Sequence, residues 1–188
     1  MERLQQAALE QFAAHGFEQT TAAQIAQSVG LTERTFFRHF SDKREVLFHG
    51  QHLLVEAFLA GADSAAPTAS PLEVVASALR SAASMFPDER RPFARVRQSV
   101  IAQNPALQER ERNKLADLGT TLTEALRARG VGEPAATLAA QSGTTVFGIA
   151  FMQWIREGEQ ASLADLAADV LRELSALTEN VAAPHTSP

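Results

Sequence analysis

The 188-residue sequence contains no cysteine, which excludes disulfide scaffolds, zinc–thiolate sites and thiol nucleophiles together. It also lacks an excess of positive charge, because 17 lysines and arginines are outnumbered by 22 aspartates and glutamates. Proteins that bind nucleic acid usually carry a basic surface, so any binding of DNA must depend on a local cluster of cations. The absence of cysteine agrees with a reducing cytoplasm, where we expect the protein to act.

Residues 1–11 lack the design of a signal peptide, because charged and amide side chains interrupt the apolar positions. The stretch between Glu133 and Arg156 carries no charge and is about as long as a membrane span. Gln141 and Thr144 lie within it, together with glycine. We therefore interpret it as a helix buried among other helices, and we expect no association with a membrane.

Apolar residues recur at helical spacing along most of the chain, which predicts an all-α fold of about nine helices. Glycine, proline and capping residues divide these segments from one another. The predicted helices cover approximately residues 2–14, 22–28, 33–39, 41–60, 71–86, 92–100, 105–129, 134–155 and 162–179. The small and polar residues 61–70 are predicted to form a loop.

Two of the predicted helices, residues 22–28 and 33–39, are short and are separated by a tight turn at Gly30. Thr21 and Thr32 are the predicted N-caps of these helices. Two short helices joined in this way are typical of a helix-turn-helix, whose second helix enters the major groove of DNA.

Groups that can bind phosphate are concentrated around this helix-turn-helix. Amide N–H groups are free at the predicted helix starts near Thr21, Thr32 and Asp42, and such groups can bind anions. The neighbouring cations are Arg34, Arg38, Lys43 and Arg44. Arg34 is the predicted base reader, because its guanidinium can donate to both acceptors on a guanine edge.

The segment from Thr20 to Leu47 resembles the TetR family of transcriptional repressors. The matching residues are a threonine pair, an Ile-Ala pair, a Gly-Leu-Thr turn, an aromatic-rich run and a lysine, namely Thr20, Thr21, Ile25, Ala26, Gly30, Leu31, Thr32, Thr35, Phe36, Phe37, Arg38, His39, Phe40 and Lys43. The resemblance implies a homodimeric repressor that binds a palindromic double-stranded operator. It also implies that a small-molecule effector releases the repressor from DNA.

The resemblance implies backbone contacts for part of the helix-turn-helix, and the full predicted DNA-binding set is Thr21, Thr32, Arg34, Thr35, Phe37, Arg38, His39 and Lys43. One position departs from the family pattern. The family usually has tyrosine where this chain has Phe37, and a phenyl ring cannot donate a hydrogen bond to a phosphate.

The predicted domains are a DNA-binding domain at residues 1–46, a ligand-binding and dimerisation domain at 47–180, and a flexible tail at 181–188. The last two predicted helices are the expected dimer interface, because one is rich in small apolar residues and the other carries a leucine seam. The alternative is that these surfaces belong only to the core of one subunit.

Residues of the middle and late helices are the candidate effector pocket, although any helical core has the same apolar pattern. They are Phe86, Phe93, Val96, Leu118, Thr121, Leu122, Gln141, Thr144, Phe147 and Phe151. A group of arginines could recognise an anionic part of the effector or simply form a solvated surface. Its members are Arg80, Arg90, Arg91, Arg95 and Arg97.

Glu45, His49, His52 and Glu56 would share one face of the fourth predicted helix, in a pattern that could hold a transition metal. That face is expected to be solvated, so no metal or cofactor is predicted. We find no nucleophile–base pair and no phosphate-binding glycine loop, so no enzymatic activity is predicted. The alternative to a repressor is a helical adaptor that does not bind DNA.

Overall fold

The structure is a computed structural model that describes residues 2–182, and this range is all-helical, as predicted. Its α-helices are α1 (Glu2–His15), α2 (Ala22–Ser28), α3 (Glu33–His39), α4 (Gln51–Ser64), α5 (Pro71–Ala83), α6 (Arg91–Ala102), α7 (Pro105–Ala128), α8 (Ala135–Trp154) and α9 (Leu163–Ala182). Two 3-10 helical turns, Glu45–Phe48 and Asp88–Arg90, precede α4 and α6. Most of the predicted tail, residues 183–188, lies outside the described range.

The prediction of one continuous fourth helix over residues 41–60 is wrong. The chain forms a 3-10 turn at Glu45–Phe48, leaves helical geometry at His49, and begins α4 only after Gly50. Gly50 has a φ of +86°, a left-handed conformation that glycine adopts without steric cost. This residue therefore allows the chain to change direction between the turn and α4.

The break also removes the predicted face shared by Glu45, His49, His52 and Glu56, because the first two residues precede α4. Within residues 2–182, no group of three or more histidine, cysteine, aspartate or glutamate side chains is placed to hold a metal ion. The metal-binding pattern therefore depended on a continuous helix that the protein does not form.

The predicted loop at residues 61–70 begins too early, because α4 continues to Ser64. Gly61 is buried, and a β-carbon at this position would lie 2.6 Å from the carbonyl oxygen of Ser77 and 2.7 Å from Cα of Ala78. The glycine thus permits close contact between α4 and the backbone of α5. Helix α5 is shorter than the predicted helix over residues 71–86, because it ends at Ala83. Pro87 lies a few residues later, and proline disfavours helical geometry at the residue before it.

The chain divides into two compact units. The first contains the residues up to Leu53 together with Pro92–Lys114, and the second contains Leu54–Arg91 together with the residues from Leu115 onward. The DNA-binding, ligand-binding and tail boundaries inferred from the sequence describe functions, and they remain predictions.

The first unit has an apolar core to which α1, α2, α3, the first 3-10 turn, α6 and α7 contribute. Its buried members include Leu4, Phe12, Phe17, Ile25, Phe36, Phe40, Val46, Phe48, Ile101 and Leu107. Complete burial of a large apolar side chain contributes about 1.5–3 kcal/mol, so this core fixes the positions of the short helices α2 and α3.

The second unit is organised around α8, which packs against α5 and α9. An aromatic cluster joins Phe58, Phe86, Phe147, Phe151 and Trp154, with ring centroids 5.4–6.1 Å apart. Among the described helices, α8 alone is long and apolar enough to cross a membrane. Its buried stripe and its packing partners are those of a core helix.

We predict that Gly61→Ala destabilises the second unit by about 1–3 kcal/mol, because the new methyl group would overlap backbone atoms of α5. Gly132→Ala is the matched control, since this exposed residue between α7 and α8 has no positive φ and its β-carbon would have no neighbour within 4 Å. The control should be neutral or stabilising by up to about 1 kcal/mol. Chemical denaturation of both variants tests this, and equal stability of the two would contradict the close packing at Gly61.

Candidate nucleic-acid interface

Helix α2 begins with a capping box formed by Thr21 and Gln24. The hydroxyl of Thr21 accepts a hydrogen bond from the backbone N–H of Gln24 at 3.2 Å, and the Gln24 side chain accepts one from the Thr21 N–H at 2.8 Å. Such reciprocal bonds satisfy N–H groups that have no partner inside the helix. They fix the first residue of α2, as the sequence predicts for Thr21.

The turn between α2 and α3 is closed by backbone hydrogen bonds. Gly30 has a φ of +75°, and the N–H of Leu31 donates to the carbonyl of Ala26 at 2.9 Å. Thr32 then caps α3 by accepting from the N–H of Thr35 at 3.2 Å, and the two hydroxyls lie 3.0 Å apart. The predicted helix-turn-helix is therefore present with both predicted caps.

Phe36 and Phe40 attach α3 to the core of the first unit. Both rings are buried, and their centroids lie 5.0 Å apart. Phe36 lies on the inner side of α3 and Phe40 directly follows the helix, so Arg34 and Arg38 remain exposed on its outside. Neither arginine forms a hydrogen bond or ion pair with another described residue, so both guanidinium groups are available to an external partner.

Six residues of the predicted DNA-binding set are exposed in the structure, namely Thr21, Thr32, Arg34, Phe37, Arg38 and His39. Thr35 and Lys43 are only partly exposed. Phe37 is 49% exposed, so its ring is accessible on the outside of α3. These placements are compatible with DNA contacts, which remain predictions for the individual residues.

The ammonium of Lys43 has hydrogen-bond partners inside the protein, and its contact with a DNA phosphate remains a prediction. Its ammonium donates to the carbonyl oxygens of Phe17, Glu18 and Thr20 at 2.8, 3.3 and 3.2 Å. The same ammonium lies 4.3 Å from the centroid of the Phe17 ring. A lysine has three N–H donors, and here carbonyl oxygens of the α1–α2 connection accept all of them.

Arg44, the fourth cation of the sequence cluster, is also used inside the protein. Its guanidinium donates to the carboxylate of Asp42 at 2.7 and 3.1 Å, and that carboxylate also accepts from the N–H groups of Arg44 and Glu45. The hydrogen bond from the Arg44 side chain is the main cause of the lowered pKa of Asp42. The predicted group of four available cations is thus reduced to Arg34 and Arg38.

Sequence reasoning missed the contacts that hold the 3-10 turn after α3. Gln5 donates to the carbonyls of Val46 and His49, and Arg97 donates to the carbonyl of Leu47 at 2.9 Å. The carboxylate of Glu45 accepts from Arg110 at 2.6 Å. These partners are separated by 41 to 65 positions in the chain, so no local pattern could reveal them.

The candidate effector residues fall in different environments. Phe86, Phe147 and Phe151 belong to the aromatic cluster of the second unit, where Leu118, Leu122 and Thr144 are also buried, Thr121 is half-buried and Gln141 is exposed. In the first unit, Phe93 packs against the core and Val96 is 40% exposed. A pocket formed by these residues remains a prediction.

Two of the arginines proposed as anion ligands form internal contacts. The buried Arg91 donates to Asp88 at 2.5 Å and to the carbonyl of Ala161 at 2.9 Å, within the second unit. Within the first unit, Arg97 bridges the Leu47 carbonyl and Glu111. Both guanidinium groups therefore stabilise the folded chain.

A buried phenylalanine core, two capped short helices and an exposed basic face define a helix-turn-helix DNA-binding protein. A family model described as "Bacterial regulatory proteins, tetR family" matches residues 4–49, and one described as "MftR C-terminal domain" matches residues 69–179. The chain belongs to the TetR family of transcriptional regulators. Members of this family are ligand-responsive DNA-binding proteins, so the function implied by the resemblance is confirmed at that level.

Two transcriptional regulators are similar to this chain in sequence. A stretch of 74 residues is 43% identical to the transcriptional regulator TcmR of Streptomyces glaucescens, covering 39% of this chain and 33% of TcmR. The match thus spans only about a third of the length of TcmR. Over 164 residues the chain is 26% identical to MftR of Mycobacterium tuberculosis, named for regulation of mycofactocin biosynthesis, with 84% of this chain and 80% of MftR covered.

Solved structures share the fold along most of the chain. FadR of Thermus thermophilus, a repressor solved in complex with lauroyl-CoA, has a TM-score of 0.55 and 24% identity, with 100% of this chain and 98% of FadR covered. FadR of Bacillus halodurans has a TM-score of 0.59 and 16% identity, with 92% and 93% covered. At these identities the likeness establishes the fold alone.

We predict different effects of the basic residues on the salt dependence of binding to a random-sequence DNA duplex. Arg38→Ala should reduce the magnitude of the slope of log K against log salt by about 0.9 for every phosphate that the variant no longer neutralises, whereas Arg34→Ala, at the proposed base reader, should change the slope less. Lys43→Met should weaken binding and lower the melting temperature, because it releases the α1–α2 connection, but should leave the slope unchanged.

The control for charge is Arg112→Ala, which removes an exposed cation from α7. Its slope and affinity should equal those of the parent protein. A lowered slope for Lys43→Met with an unchanged melting temperature would show that Lys43 leaves its carbonyl partners and binds phosphate.

Proposed function

We propose that the protein is a cytoplasmic repressor that binds a palindromic operator as a homodimer and leaves it when a small molecule binds. The observation that carries the DNA-binding part is the outer face of α3, where Arg34 and Arg38 are exposed without internal partners. The predicted roles of Thr21, Thr32 and Thr35 near the DNA backbone are part of the same proposal.

Local geometry explains how an acidic protein binds DNA through this face. The net charge of −5 repels DNA over most of the surface and so lowers nonspecific affinity. Arg34 lies in the first turn of α3, the end of a recognition helix that contacts base edges. Arg38 lies one turn later on the same side, and its guanidinium can contact the backbone.

Selection from a random DNA library tests the operator proposal. We expect enriched sequences to contain an inverted repeat, because two recognition helices related by a two-fold axis read identical half-sites. Arg34→Ala should relax the preference at one base pair of each half-site, with a loss of about 1–3 kcal/mol in discrimination. The control variant Arg112→Ala should enrich the same DNA sequences as the parent protein.

Failure to enrich any sequence with a correctly folded dimer would contradict the operator proposal and favour the helical adaptor. Enrichment of a single unrepeated site would contradict two-fold binding while leaving DNA recognition intact.

Exposed apolar residues on α8 support the proposed dimer. Leu138, Ile149 and Met152 are 63, 45 and 48% exposed, and their spacing of 11 and 3 residues places them along one side of the helix. On α9, Leu177 is 65% exposed. Large apolar side chains collected on two adjacent helices are typical of an interface between subunits, and paired helices from two copies form a four-helix bundle.

We predict that Ile149→Glu converts the dimer to a monomer, because it would place two carboxylates in an apolar interface. Leu53→Glu is the matched control, since Leu53 is 47% exposed and lies outside α8 and α9. Analytical ultracentrifugation at micromolar concentration should show a dimer for the parent and the control. A monomeric parent protein, or an undisturbed dimer of Ile149→Glu, would contradict this interface.

The proposed effector has a large apolar part and binds within the second unit. Phe86, Phe147 and Phe151 offer ring surfaces there, whereas the hydroxyls of Thr121 and Thr144 already donate to carbonyls of their own helices at 3.0 Å. Contact with aromatic rings therefore outweighs the available polar contacts. FadR of Thermus thermophilus, which shares the fold, was solved with lauroyl-CoA, a ligand with a long apolar chain.

A further inference from the structure

Arg91 is the first residue of α6, and it is buried in the second unit with an exposure of 8%. One terminal nitrogen of its guanidinium donates to the carbonyl of Glu159, and the other donates to Asp88 and to the carbonyl of Ala161. The remaining N–H, on Nε, is also buried, and no described residue accepts a hydrogen bond from it. A buried donor without an acceptor costs free energy, so an acceptor atom of a bound molecule would stabilise this N–H.

The same guanidinium adjoins the aromatic cluster of the second unit. Its central carbon lies 5.2 Å from the centroid of the Trp154 ring. Trp154 is buried, and its centroid lies 6.0 Å from that of Phe86 and 5.8 Å from that of Phe151. Phe86 and Phe151 are only partly buried. The N–H without an acceptor is therefore close to apolar ring surface that a ligand can reach.

Phe86 lies in the connection between α5 and the second 3-10 turn, outside both helical segments. Displacement of its ring would open space beside Trp154 without breaking a hydrogen bond inside α5, which ends at Ala83. An apolar ligand could then pack on the same rings in place of the Phe86 side chain.

The positive charge of Arg91 is already compensated by Asp88. The Asp88 carboxylate accepts from the guanidinium at 2.5 Å and from the indole N–H of Trp154 at 3.1 Å. The bond from Trp154 is the main cause of the lowered pKa of Asp88, and the bond from Arg91 lowers it further. This carboxylate therefore stays ionised beside the guanidinium.

A second carboxylate, that of Glu159, lies near the same guanidinium. It accepts hydrogen bonds from the next two backbone N–H groups, which are the main cause of its lowered pKa, and the charge of Arg91 contributes to the same effect. A ligand carboxylate at Nε would thus be close to two ionised carboxylates. An uncharged oxygen accepts the same hydrogen bond without this repulsion.

We propose that the second unit binds an uncharged ligand with an apolar body and a carbonyl oxygen, such as a ketone or an ester. The oxygen accepts a hydrogen bond from Nε of Arg91, and the apolar body packs against Phe86 and Phe151. This inference rests on the effector proposal above and deepens it by naming the ligand class and its polar partner. An anionic group, one of the two interpretations of these arginines from the sequence, is disfavoured at Arg91.

The test titrates isotopically labelled, DNA-free protein with three probes of similar length. They are methyl hexyl ketone, the alkene in which a methylene group replaces its carbonyl oxygen, and octanoate. The chain contains a single tryptophan, so the fluorescence of Trp154 reports binding beside Arg91. We expect the ketone to change this fluorescence and to move the Nε–H proton resonance of Arg91 to lower field, as hydrogen bonding does.

The alkene should bind about tenfold more weakly than the ketone, because it leaves the Nε–H of Arg91 buried without an acceptor. Octanoate should also bind more weakly than the ketone, because of its repulsion by Asp88 and Glu159. Neither probe should move the Arg91 resonance to lower field.

Arg91→Lys keeps the positive charge and removes the Nε donor, so it should bind the ketone and the alkene with equal affinity. Arg172→Lys is the matched control, because Arg172 also pairs with an aspartate three residues earlier but is exposed on α9. The control should keep the preference of the parent for the ketone. Melting temperatures verify that each variant is folded, and the Arg91 resonance of the parent tests the proposal without a substitution.

Equal affinity of the parent for the ketone and the alkene, or tighter binding of octanoate, would overturn the proposal. So would an Arg91 resonance that the ketone leaves unshifted, and magnetisation transfer from bound water to this N–H would then identify water as its acceptor.

These titrations contain no DNA, so a failed operator selection leaves their outcome unchanged. Preferential binding of the ketone without any change in affinity for DNA would support the ligand site and contradict only the proposed release from the operator.

Discussion

Burial of Phe36 and Phe40 beneath α3 is the constraint on which the DNA-binding surface depends. A seven-residue helix is not stable by itself in water, because nucleation fixes several residues for few hydrogen bonds. The two rings supply the missing stability by packing into a core shared with α1, α2, α6 and α7. Because they determine which side of α3 faces inward, they also determine that Arg34 and Arg38 face outward. A basic face in this protein is thus a consequence of where its aromatic residues are buried.

The same packing determines which cations of the cluster have partners inside the protein and which do not. The cluster around the helix-turn-helix contains four lysines and arginines, at positions 34, 38, 43 and 44. Two of them have partners inside the protein: Lys43 donates to three carbonyl oxygens, and Arg44 is paired with Asp42. These two stabilise the connections before α2 and after α3. The remaining two are free to interact with DNA. A count of charges in the sequence cannot separate cations that have internal partners from cations that have none among the described residues.

Local sequence rules predicted the fold well where the structure is determined locally. Both short helices, α2 and α3, have the predicted bounds, and Thr21 and Thr32 cap them, because capping needs only residues three positions apart. The prediction failed at the fourth helix, where helical periodicity continued through Gly50 although the chain turns there. The internal hydrogen bonds of Lys43 were also not predicted, because its partners lie 23 to 26 positions away. The spacing of apolar residues is the same in a helical core and in a ligand pocket. The sequence therefore cannot show which of the candidate effector residues line a pocket.

The contacts around the 3-10 turn hold the segment after α3 against α6 and α7 within the first unit. Glu45 is bonded to Arg110 of α7, and Arg97 of α6 donates to the carbonyl of Leu47 in the same turn. Residues 40–44 join α3 to this turn, so the contacts of the turn also restrain the segment that follows α3. A ligand can shift such an equilibrium only by binding one arrangement better than another. A ligand-responsive regulator therefore needs two arrangements with different affinities for its effector, and the ion pairs and hydrogen bonds of the 3-10 turn stabilise the arrangement described here.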